Sequence, residues 1–462
     1  MNDIQKPIDT KVKVKPIFGI LIHRNNEEGP CRFGSKEELD PKMDEIRGEK
    51  SFKRFCSDVK KNLSEKTEML NPVSIKFKDN WIIKEEEFRK LESDSEKVDL
   101  YLVGGNGHLH FPGATIGERY KEPVALIGDT FCPANLRAEN LESYGLLDYS
   151  ELNHLISLLQ IRKALKNTRI LRVLDREISP GIINTHIGLK YIKEKFGMDY
   201  KDVPIEELAE EIDKVDQKKV EEITDRLIEG AEKVHMERKY IIPSVSFYLG
   251  VKNLMREYSC NAFTTDCFEI CPDGRVTSKI KAVPCLAHSL LKDEGIPSAC
   301  EGDISALLTM VVLMCISKKS IYMGNLYLSS TKNIMRFGHN VPGLKMKGFD
   351  KPDLPYEIRN FTVSGWGVTI HYDFSQDKGE KIIIARFNPL ADKILVIKGE
   401  IEKCDGFGEI GCRLVALVKV RDSIDIFHKS CDFGRHFTMV YGDYIKEIKE
   451  LGKIMNFEVV EA

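Results

Sequence analysis

The most strongly apolar part of the chain lies at residues 304–316, which read ISALLTMVVLMCI with Ser305 and Thr309 as the only polar members. A nearly unbroken apolar run of this length predicts a helix that is buried all round rather than a strand. The run is shorter than the roughly 20 residues that cross a bilayer. We therefore expect a core helix.

Polar residues that flank this helix are candidates for a ligand-binding site. Glu301 stands just before it, and the short apolar run 321–323 after it predicts a strand that ends on Gly324 and Asn325. A strand packed beside its helix would place Glu301 and the strand end on neighbouring rims of one sheet, where open α/β sheets bind ligands. Glu301 is then either a helix cap or a ligand. The pattern alone favours the cap, because acids stabilise first turns of helices.

Apolar runs that alternate with helical spacing predict parallel α/β sheets over the first 344 residues. In the N-terminal part, the predicted strands are 16–24, 98–105 and 123–128, and the predicted helices lie within 35–70 and at 149–165. The pattern restarts near residue 167, with strands predicted at 169–173 and 261–270 and helices at 185–196, 205–215, 217–235 and 247–258. We place an N-terminal α/β domain at 1–166 and a central α/β domain at 167–344.

The sequence pattern changes after about residue 345, where short β-type runs are separated by Gly, Asp, Asn and Lys. These runs are 361–372, 381–387, 393–401, 414–420 and 424–428, followed by a helix at 444–455 and a strand at 457–460. Such a succession is typical of an antiparallel sandwich or barrel. The predicted architecture is two doubly wound parallel-sheet domains followed by a C-terminal antiparallel β-barrel domain at 345–462.

Composition and charge exclude several classes of function. The chain has 69 basic and 72 acidic residues, a formal net charge of −3, which offers no electrostatic footprint for nucleic acid or an anionic membrane. The polar N-terminus has no apolar segment of the kind found in secretory signals. With the 12 cysteines scattered along the chain, these features favour reduced thiols and a cytoplasmic location. The expected partner is a small molecule.

Two further motifs carry little chemistry. The glycine-rich stretch 103–110 (VGGNGHLH) follows a strand but matches neither dinucleotide nor phosphate-loop fingerprints, so no nucleotide cofactor is expected. His108 and His110 within it are more simply surface loop histidines. The cysteines at 260, 267, 271 and 285 could suggest a zinc cluster, but they lack paired C-x-x-C spacing. We interpret them, and Cys300, as buried small apolar residues.

Four residues remain as candidate metal ligands: Glu301, Asn325, His339 and His436. Carboxylate and amide oxygen with imidazole nitrogen suit Mn²⁺, Mg²⁺ or similar ions. Each residue also has a structural alternative, namely a capping glutamate, a strand-end asparagine or a satisfied core histidine. Sequence spacing alone does not join them.

A family resemblance does join them. The carrying segments are ACEGDISALLTM at 299–310, GHNVPG at 338–343, GWGVTIHYDF at 365–374, KIIIARFNP at 381–389, KILVIKGEIE at 393–402, GEIGCRLVALVKV at 408–420, HFTMVYGDY at 436–444 and LGKIMNFEVV at 451–460. In these segments the chain resembles the L-fucose isomerase and L-arabinose isomerase superfamily, and the resemblance extends from residue 16 to the C-terminus. It implies the same domain order that the patterning indicates, and an aldose–ketose isomerase that moves a proton between C1 and C2 through an ene-diol.

The resemblance also implies a metal centre and an assembly. Members of this superfamily hold one divalent ion, usually Mn²⁺, and Mg²⁺ and Co²⁺ share its ligand preferences. By position, Glu301 corresponds to a metal ligand and the general base, His436 to the histidine ligand, and His339 to an extra histidine of the arabinose isomerase branch. Asn325 occupies the position of a second carboxylate ligand. The resemblance further implies a homo-oligomer, a trimer or hexamer, whose sites are partly completed by a neighbouring subunit.

Asn325 is a departure from the family pattern, and it leaves alternatives open. An amide can ligate through its carbonyl oxygen, but it cannot act as a base. Glu301 could be the sole base with a histidine or water as partner, or Asp303 could substitute, although two residues on it should point elsewhere. The rival functions are another reaction on the same scaffold, such as epimerisation or isomerisation of a modified or charged sugar, and non-catalytic carbohydrate binding.

Overall fold

The computed structural model describes residues 3–29, 32–94, 97–105, 110–175, 185–273 and 282–462, without the side chains of 110, 185–188 and 271–273. The chain folds into two compact units. One unit is Lys11–Gln160, and the other is Ile161–Ala462 together with Met1–Thr10. The contacts do not separate the central and C-terminal parts, so the division at residue 345 stays a prediction.

The first unit is built on a parallel sheet. Its strands are β1 (Val12–Ile22), β2 (Thr67–Met69), β3 (Val73–Lys78), β4 (Leu100–Gly105), β5 (Val124–Ile127) and β6 (Ser143–Leu146). Its helices are α1 (Pro41–Asn62), α2 (Glu85–Arg89), α3 (His110–Tyr120), α4 (Phe131–Ala138) and α5 (Tyr149–Lys166), the last of which continues into the second unit. The strand order is β2-β1-β4-β5-β6, and β3 pairs with the second half of β1 on the same edge as β2. Nearly every residue of β1 is buried, as expected of a strand covered on both faces.

The second unit begins with another parallel sheet. Its strands are β7 (Arg169–Val173), β8 (Asp199–Val203), β10 (Ala262–Thr265) and β11 (Ser298–Cys300), in the order β11-β10-β7-β8. The helices are α6 (Thr185–Phe196), α7 (Ile205–Asp213), α8 (Gln217–Gly230), α9 (Arg238–Glu257), α10 (Cys267–Asp273), α11 (Cys285–Asp293) and α12 (Ile304–Ser317). Helix α12 is the apolar run of the sequence, and all of its residues up to Cys315 are buried.

An antiparallel barrel follows within the same unit. Its six strands are β12 (Tyr322–Leu328), β13 (Ile334–Gly338), β16 (Lys381–Phe387), β17 (Lys393–Asp405), β18 (Val415–Lys419) and β19 (His436–Tyr441). The order β16-β19-β12-β13-β18-β17 closes because β16 also pairs with β17. A small sheet is formed by β9 (Lys233–Val234), β14 (Glu357–Asn360) and β15 (Val368–His371), and the chain ends with α13 (Ser423–Ser430), α14 (Ile445–Met455) and β20 (Glu458–Glu461). Both the α/β class and the antiparallel barrel are confirmed.

Three predicted elements are wrong. The predicted strand 261–270 ends at Thr265, because the Asp266 carboxylate accepts a hydrogen bond from the Phe268 amide (3.0 Å) and begins α10. Cys267 is therefore helical. The predicted strand 424–428 is helix α13, which Asp422 caps by accepting from two backbone amides.

The third error concerns the strand after α12. Sequence reasoning ends this strand at Asn325 and places Glu301 and the strand end on neighbouring rims of one α/β sheet. It is instead the barrel strand β12, and it continues to Leu328. Glu301 and Asn325 thus belong to different sheets. Among the described helices, none is both long and apolar enough to span a membrane.

Candidate metal centre

Glu301 follows the last residue of β11, at the carboxyl end of the parallel sheet. Its backbone has a φ of 57°, and Gly302 after it has a φ of 66°. The left-handed region is costly for a residue with a side chain, and such strain is characteristic of functional sites. This tight turn separates the end of β11 from the start of α12.

Asp303 completes the turn as the N-cap of α12. Its Oδ1 accepts a hydrogen bond from the Ala306 amide at 2.9 Å. Its Oδ2 lies 2.9 Å from Nη1 of Arg386 and 3.1 Å from Nδ1 of His436. The side chains of Asp303, Arg386 and His436 are almost fully buried. Asp303 is therefore both a helix cap and the acceptor that orients His436.

The barrel supplies the remaining candidate residues through the register of three strands. Asn325 of β12 pairs with Gly338 of β13 on one side and with His436 of β19 on the other. His339 follows Gly338 directly, and its carbonyl accepts a hydrogen bond of 2.7 Å from the buried Tyr322 hydroxyl. The pairing places Asn325, His339 and His436 at one edge of the barrel.

The two scaffolds meet at Glu301. Its Oε1 lies 3.2 Å from Nε2 of His339, and its Oε2 lies 3.3 Å from Nε2 of His436. One ligand atom from each of the three side chains lies within 4.8 Å of the others. Among the described His, Cys, Asp and Glu residues, this is the one group found that could hold a metal ion.

Buried polar atoms without partners test whether an ion fits here. Oδ1 of Asn325 is buried and has no hydrogen-bond partner among the described residues, and Nε2 of His436 is buried with the Glu301 carboxylate at ion-pair distance, 3.3 Å. Leaving such atoms unpaired is costly. Carboxylate, imidazole and amide groups together form a donor set that hard divalent ions accept. The residues present fit a divalent ion.

The charges of the cluster shift the pKa values of its members. Burial opposes ionisation of Glu301, but His339 and His436 outweigh it and hold its pKa well below the usual range. Burial likewise opposes ionisation of Asp303, yet Arg386 and His436 lower its pKa to about 2. Burial disfavours the charged form of His436, but Asp303 and Glu301 raise its pKa to about 9. The charged form of His436 is therefore favoured at neutral pH, with the carboxylates of Asp303 and Glu301 on either side of its ring.

Arg386 anchors this arrangement from β16. Besides Asp303, its guanidinium donates to the carbonyls of Phe433 and His436. Gly434 has a φ of 105°, and a Cβ there would lie 3.1 Å from the guanidinium. Glycine thus lets the chain pass over Arg386 and deliver His436 to Asp303.

The cysteines do not form a metal cluster among the described residues. Cys260, Cys285 and Cys300 are buried, in agreement with their interpretation as core residues, whereas Cys267 is partly exposed. Cys412, which sequence reasoning did not single out, has its pKa lowered to about 6, first by a hydrogen bond from Cys285. The side chain of Cys271, His108 and the side chain of His110 lie outside the described residues.

The structure brings together Glu301, His339 and His436, and it places Asn325 beside His436 in the adjacent strand. Sequence reasoning missed Arg386, and it treated Asp303 as a possible substitute for the missing carboxylate that should nevertheless point elsewhere. Asp303 does point to the far side of the His436 ring from Glu301, where it fixes the ring. A signal for Asp303 existed, since an Asp directly before an apolar helix is a capping residue. Nothing in the local sequence marks Arg386.

Known proteins resemble parts of this chain. The family model of the L-arabinose isomerase central domain matches residues 191–318, a span that contains Glu301 and ends before the barrel. A sulfoquinovose isomerase from Alkalicoccus urumqiensis is 26% identical over 251 residues, 51% of this chain and 52% of the relative. Sulfoquinovose isomerases from Priestia aryabhattai and Priestia megaterium are each 22% identical over 313 residues, 66% of both chains.

The matches therefore span about half to two thirds of these curated relatives. Among solved structures, a periplasmic solute-binding protein of an ABC transporter from Actinobacillus succinogenes with bound D-allose matches at 11% identity. It covers 66% of this chain and 92% of that protein, but the TM-score of 0.15 carries no argument about fold. By these matches, parts of the chain are similar to the L-arabinose isomerase central domain and to sulfoquinovose isomerases.

Proposed function

We propose that this chain is a divalent-metal-dependent aldose–ketose isomerase that acts on a free sugar. The observation that carries the proposal is the convergence of Glu301, His339 and His436, with one ligand atom of each within 4.8 Å of the others. The isomerase relatives support the reaction class. A fold alone hosts many functions, so the argument depends on the side chains of the site.

Glu301, His339 and His436 would hold the ion, with the Asn325 carbonyl oxygen as a further ligand. Bound there, a divalent ion supplies Lewis-acid polarisation of two neighbouring sugar oxygens. Mn²⁺ is the ion to test first, with Mg²⁺ and Co²⁺ as alternatives of similar ligand preference. His436 must lose its proton to ligate, and Asp303 keeps the remaining Nδ1 proton on the side away from the ion.

Glu301 is the proton acceptor in this proposal. Its low pKa keeps it ionised, and it takes a proton from one sugar carbon and returns it to the neighbouring carbon. Asp303 is committed to Arg386, His436 and the cap of α12. Asn325 cannot accept a proton, so Glu301 carries this work without a second carboxylate from β12.

A modified sugar is the second candidate substrate, and the relatives favour it. All three curated relatives are sulfoquinovose isomerases, whose name denotes a sugar that carries a sulfonate. The proton transfer between C1 and C2 is the same for a sulfonated and for a neutral sugar. The choice between them concerns groups at the other end of the substrate.

Deuterium exchange tests the proposed function. Protein stripped of metal and reloaded with Mn²⁺ is incubated in D₂O with a panel of neutral and sulfonated aldoses and ketoses and followed by NMR. We expect deuterium at C2 of an aldose or C1 of a ketose, only with metal. Exchange at another carbon would indicate an epimerase. Sugar binding without exchange of any C–H proton would indicate a non-catalytic binding protein and contradict the proposal.

A further inference from the structure

The face of the barrel that carries the metal centre continues toward solvent along β12. Asn325 and Tyr327 are two residues apart, so their side chains lie on the same face of the strand. Asn325 pairs with Gly338, and Tyr327 pairs with Arg336 of the same neighbouring strand. Tyr327 is therefore one step beyond the metal centre, roughly 7 Å along the strand. It is 49% exposed.

Arg435, which lies just before β19, contacts Tyr327 from the side of β12 opposite β13. It directly precedes His436, and its Nη2 donates a hydrogen bond of 2.8 Å to the Tyr327 hydroxyl. Its guanidinium carbon lies 5.8 Å from the centre of the Tyr327 ring. The contact holds an exposed arginine head group beside the row that contains Asn325 and His436.

The two arginines on this face differ in their ion pairs. Arg336 is paired with Asp405 at 2.5 Å. Arg435 has no carboxylate within ion-pair distance among the described residues, and its hydrogen bond to Tyr327 uses one of its five N–H donors. A guanidinium with free donors matches the oxygens of an anion in geometry as well as in charge.

We propose that Arg435, positioned by Tyr327, binds a tetrahedral oxyanion at the end of the sugar remote from the reacting carbons. The substrate is then an anionic sugar, a sulfonate or a phosphate ester. The separation between Asn325 and Tyr327 is comparable to the length of a hexose chain, so a substituent on the last carbon reaches Arg435 while the first two carbons face Glu301. This inference rests on the proposed function and assigns its substrate class.

Steady-state kinetics test the subsite on the metal-loaded, full-length protein. The substrates are sulfoquinovose, glucose 6-phosphate and the neutral 6-deoxyglucose. The variants are Arg435→Met, Arg435→Lys and Tyr327→Phe, and Arg421→Met is the matched control. Arg421 is an exposed arginine that follows β18, where its carbonyl accepts a hydrogen bond from the Asn333 side chain and Gly442 lies nearby.

We expect Arg435→Met to raise KM for the preferred anionic sugar about tenfold to a hundredfold, the loss typical of a charge-assisted hydrogen bond. The KM for 6-deoxyglucose should not change, Arg435→Lys should retain part of the discrimination, and Tyr327→Phe should lose a smaller part. Arg421→Met should behave as the wild type. A preference for sulfoquinovose over glucose 6-phosphate would identify a sulfonate subsite, and the reverse a phosphate subsite.

The outcomes separate the two proposals. Metal-dependent isomerisation of the neutral sugar with no preference for either anionic sugar would overturn the subsite and leave the isomerase intact. Equal kinetics of Arg435→Met and wild type on the anionic sugars would do the same. No exchange with any sugar would overturn the isomerase and the subsite together.

Discussion

The two sheets that meet at the candidate metal centre contribute different chemistry. The parallel sheet contributes acids from a strained turn, where Glu301 and Asp303 occupy the link between β11 and α12. The barrel contributes nitrogen and amide donors from or next to regular strands, at His339, Asn325 and His436. Neither sheet carries a complete ligand set by itself.

The difference also determines how each half is held in place. On the parallel-sheet side, a left-handed backbone and a helix cap fix the acids. On the barrel side, strand pairing fixes Asn325, while His436 depends on a carboxylate from the other sheet. The buried ion pair of Asp303 and Arg386 thus connects the parallel-sheet side of the site to the barrel side. Substitutions on the two sides should have different consequences.

Replacing Glu301 with Gln should have the largest effect, because it removes the acidic ligand and the proton acceptor together. We expect sugar proton exchange to fall by at least about 10³-fold, within the range for loss of a general base, and Mn²⁺ binding to be lost. Calorimetric titration and the D₂O assay measure the two losses. Glu458→Gln, an exposed acid on β20, is the control. Retention of both metal binding and exchange in Glu301→Gln would contradict the assignment.

Replacing Asp303 with Asn should weaken its ion pairs with Arg386 and His436 without removing a candidate metal ligand. Mn²⁺ affinity should fall about 10- to 100-fold, the usual cost of losing the partner of a ligating histidine. The variant should also be destabilised by about 3–5 kcal/mol, because Arg386 is left buried without its charge partner. Asp422→Asn, which alters the exposed cap of α13, should change neither property appreciably. Unchanged metal affinity in Asp303→Asn would mean that His436 is held without it.

Replacing Asn325 with Asp tests how much the barrel side of the site contributes to ion binding. The new carboxylate adds a negative neighbour to the ion, and we expect Mn²⁺ affinity to rise about tenfold once the burial of the charge offsets part of the attraction. Asn325→Ala, titrated in parallel, should lose a little affinity. If neither variant changed Mn²⁺ affinity, Asn325 would not be a ligand.

The last predicted effect is on the stability of the metal-free protein. His436 has a folded pKa of about 9 against an ordinary value of 6.5, so its ion pairs stabilise the fold fully below pH 6.5. This stabilisation is lost as the pH rises through 9, at about 1.4 kcal/mol per pH unit. The pKa of Asp303, about 2, keeps that group ionised throughout.

Thermal unfolding of the metal-free protein should therefore shift downward by several degrees between pH 6.5 and 9. A His436→Gln variant should lose most of this slope. An equal slope in both proteins would assign the pH dependence to other groups.

Much of the fold could be predicted because burial leaves a clear pattern. The apolar run that forms α12 and the alternating strands of the barrel each follow from hydrophobic periodicity. Two of the three errors occurred where a single polar side chain overrides that pattern. Asp266 and Asp422 each begin a helix within a segment that otherwise resembles a strand.

The site was less accessible from sequence. Glu301, His339 and His436 were joined by resemblance, and the structure then brought them together. The assignment of β12 to the barrel could not be read locally, since a short buried strand looks the same in a parallel sheet and in a barrel. Arg386 and Asp303 are 83 positions apart, and only the closed fold shows that they share His436.

Pulsed EPR of bound Mn²⁺ tests most directly whether side chains from two sheets form one centre. We predict one Mn²⁺ per chain, with nuclear modulation from two imidazole nitrogens. His339→Gln and His436→Gln should each remove one of the two nitrogen couplings. Tight Mn²⁺ binding without imidazole coupling, or with couplings that neither variant alters, would contradict the account.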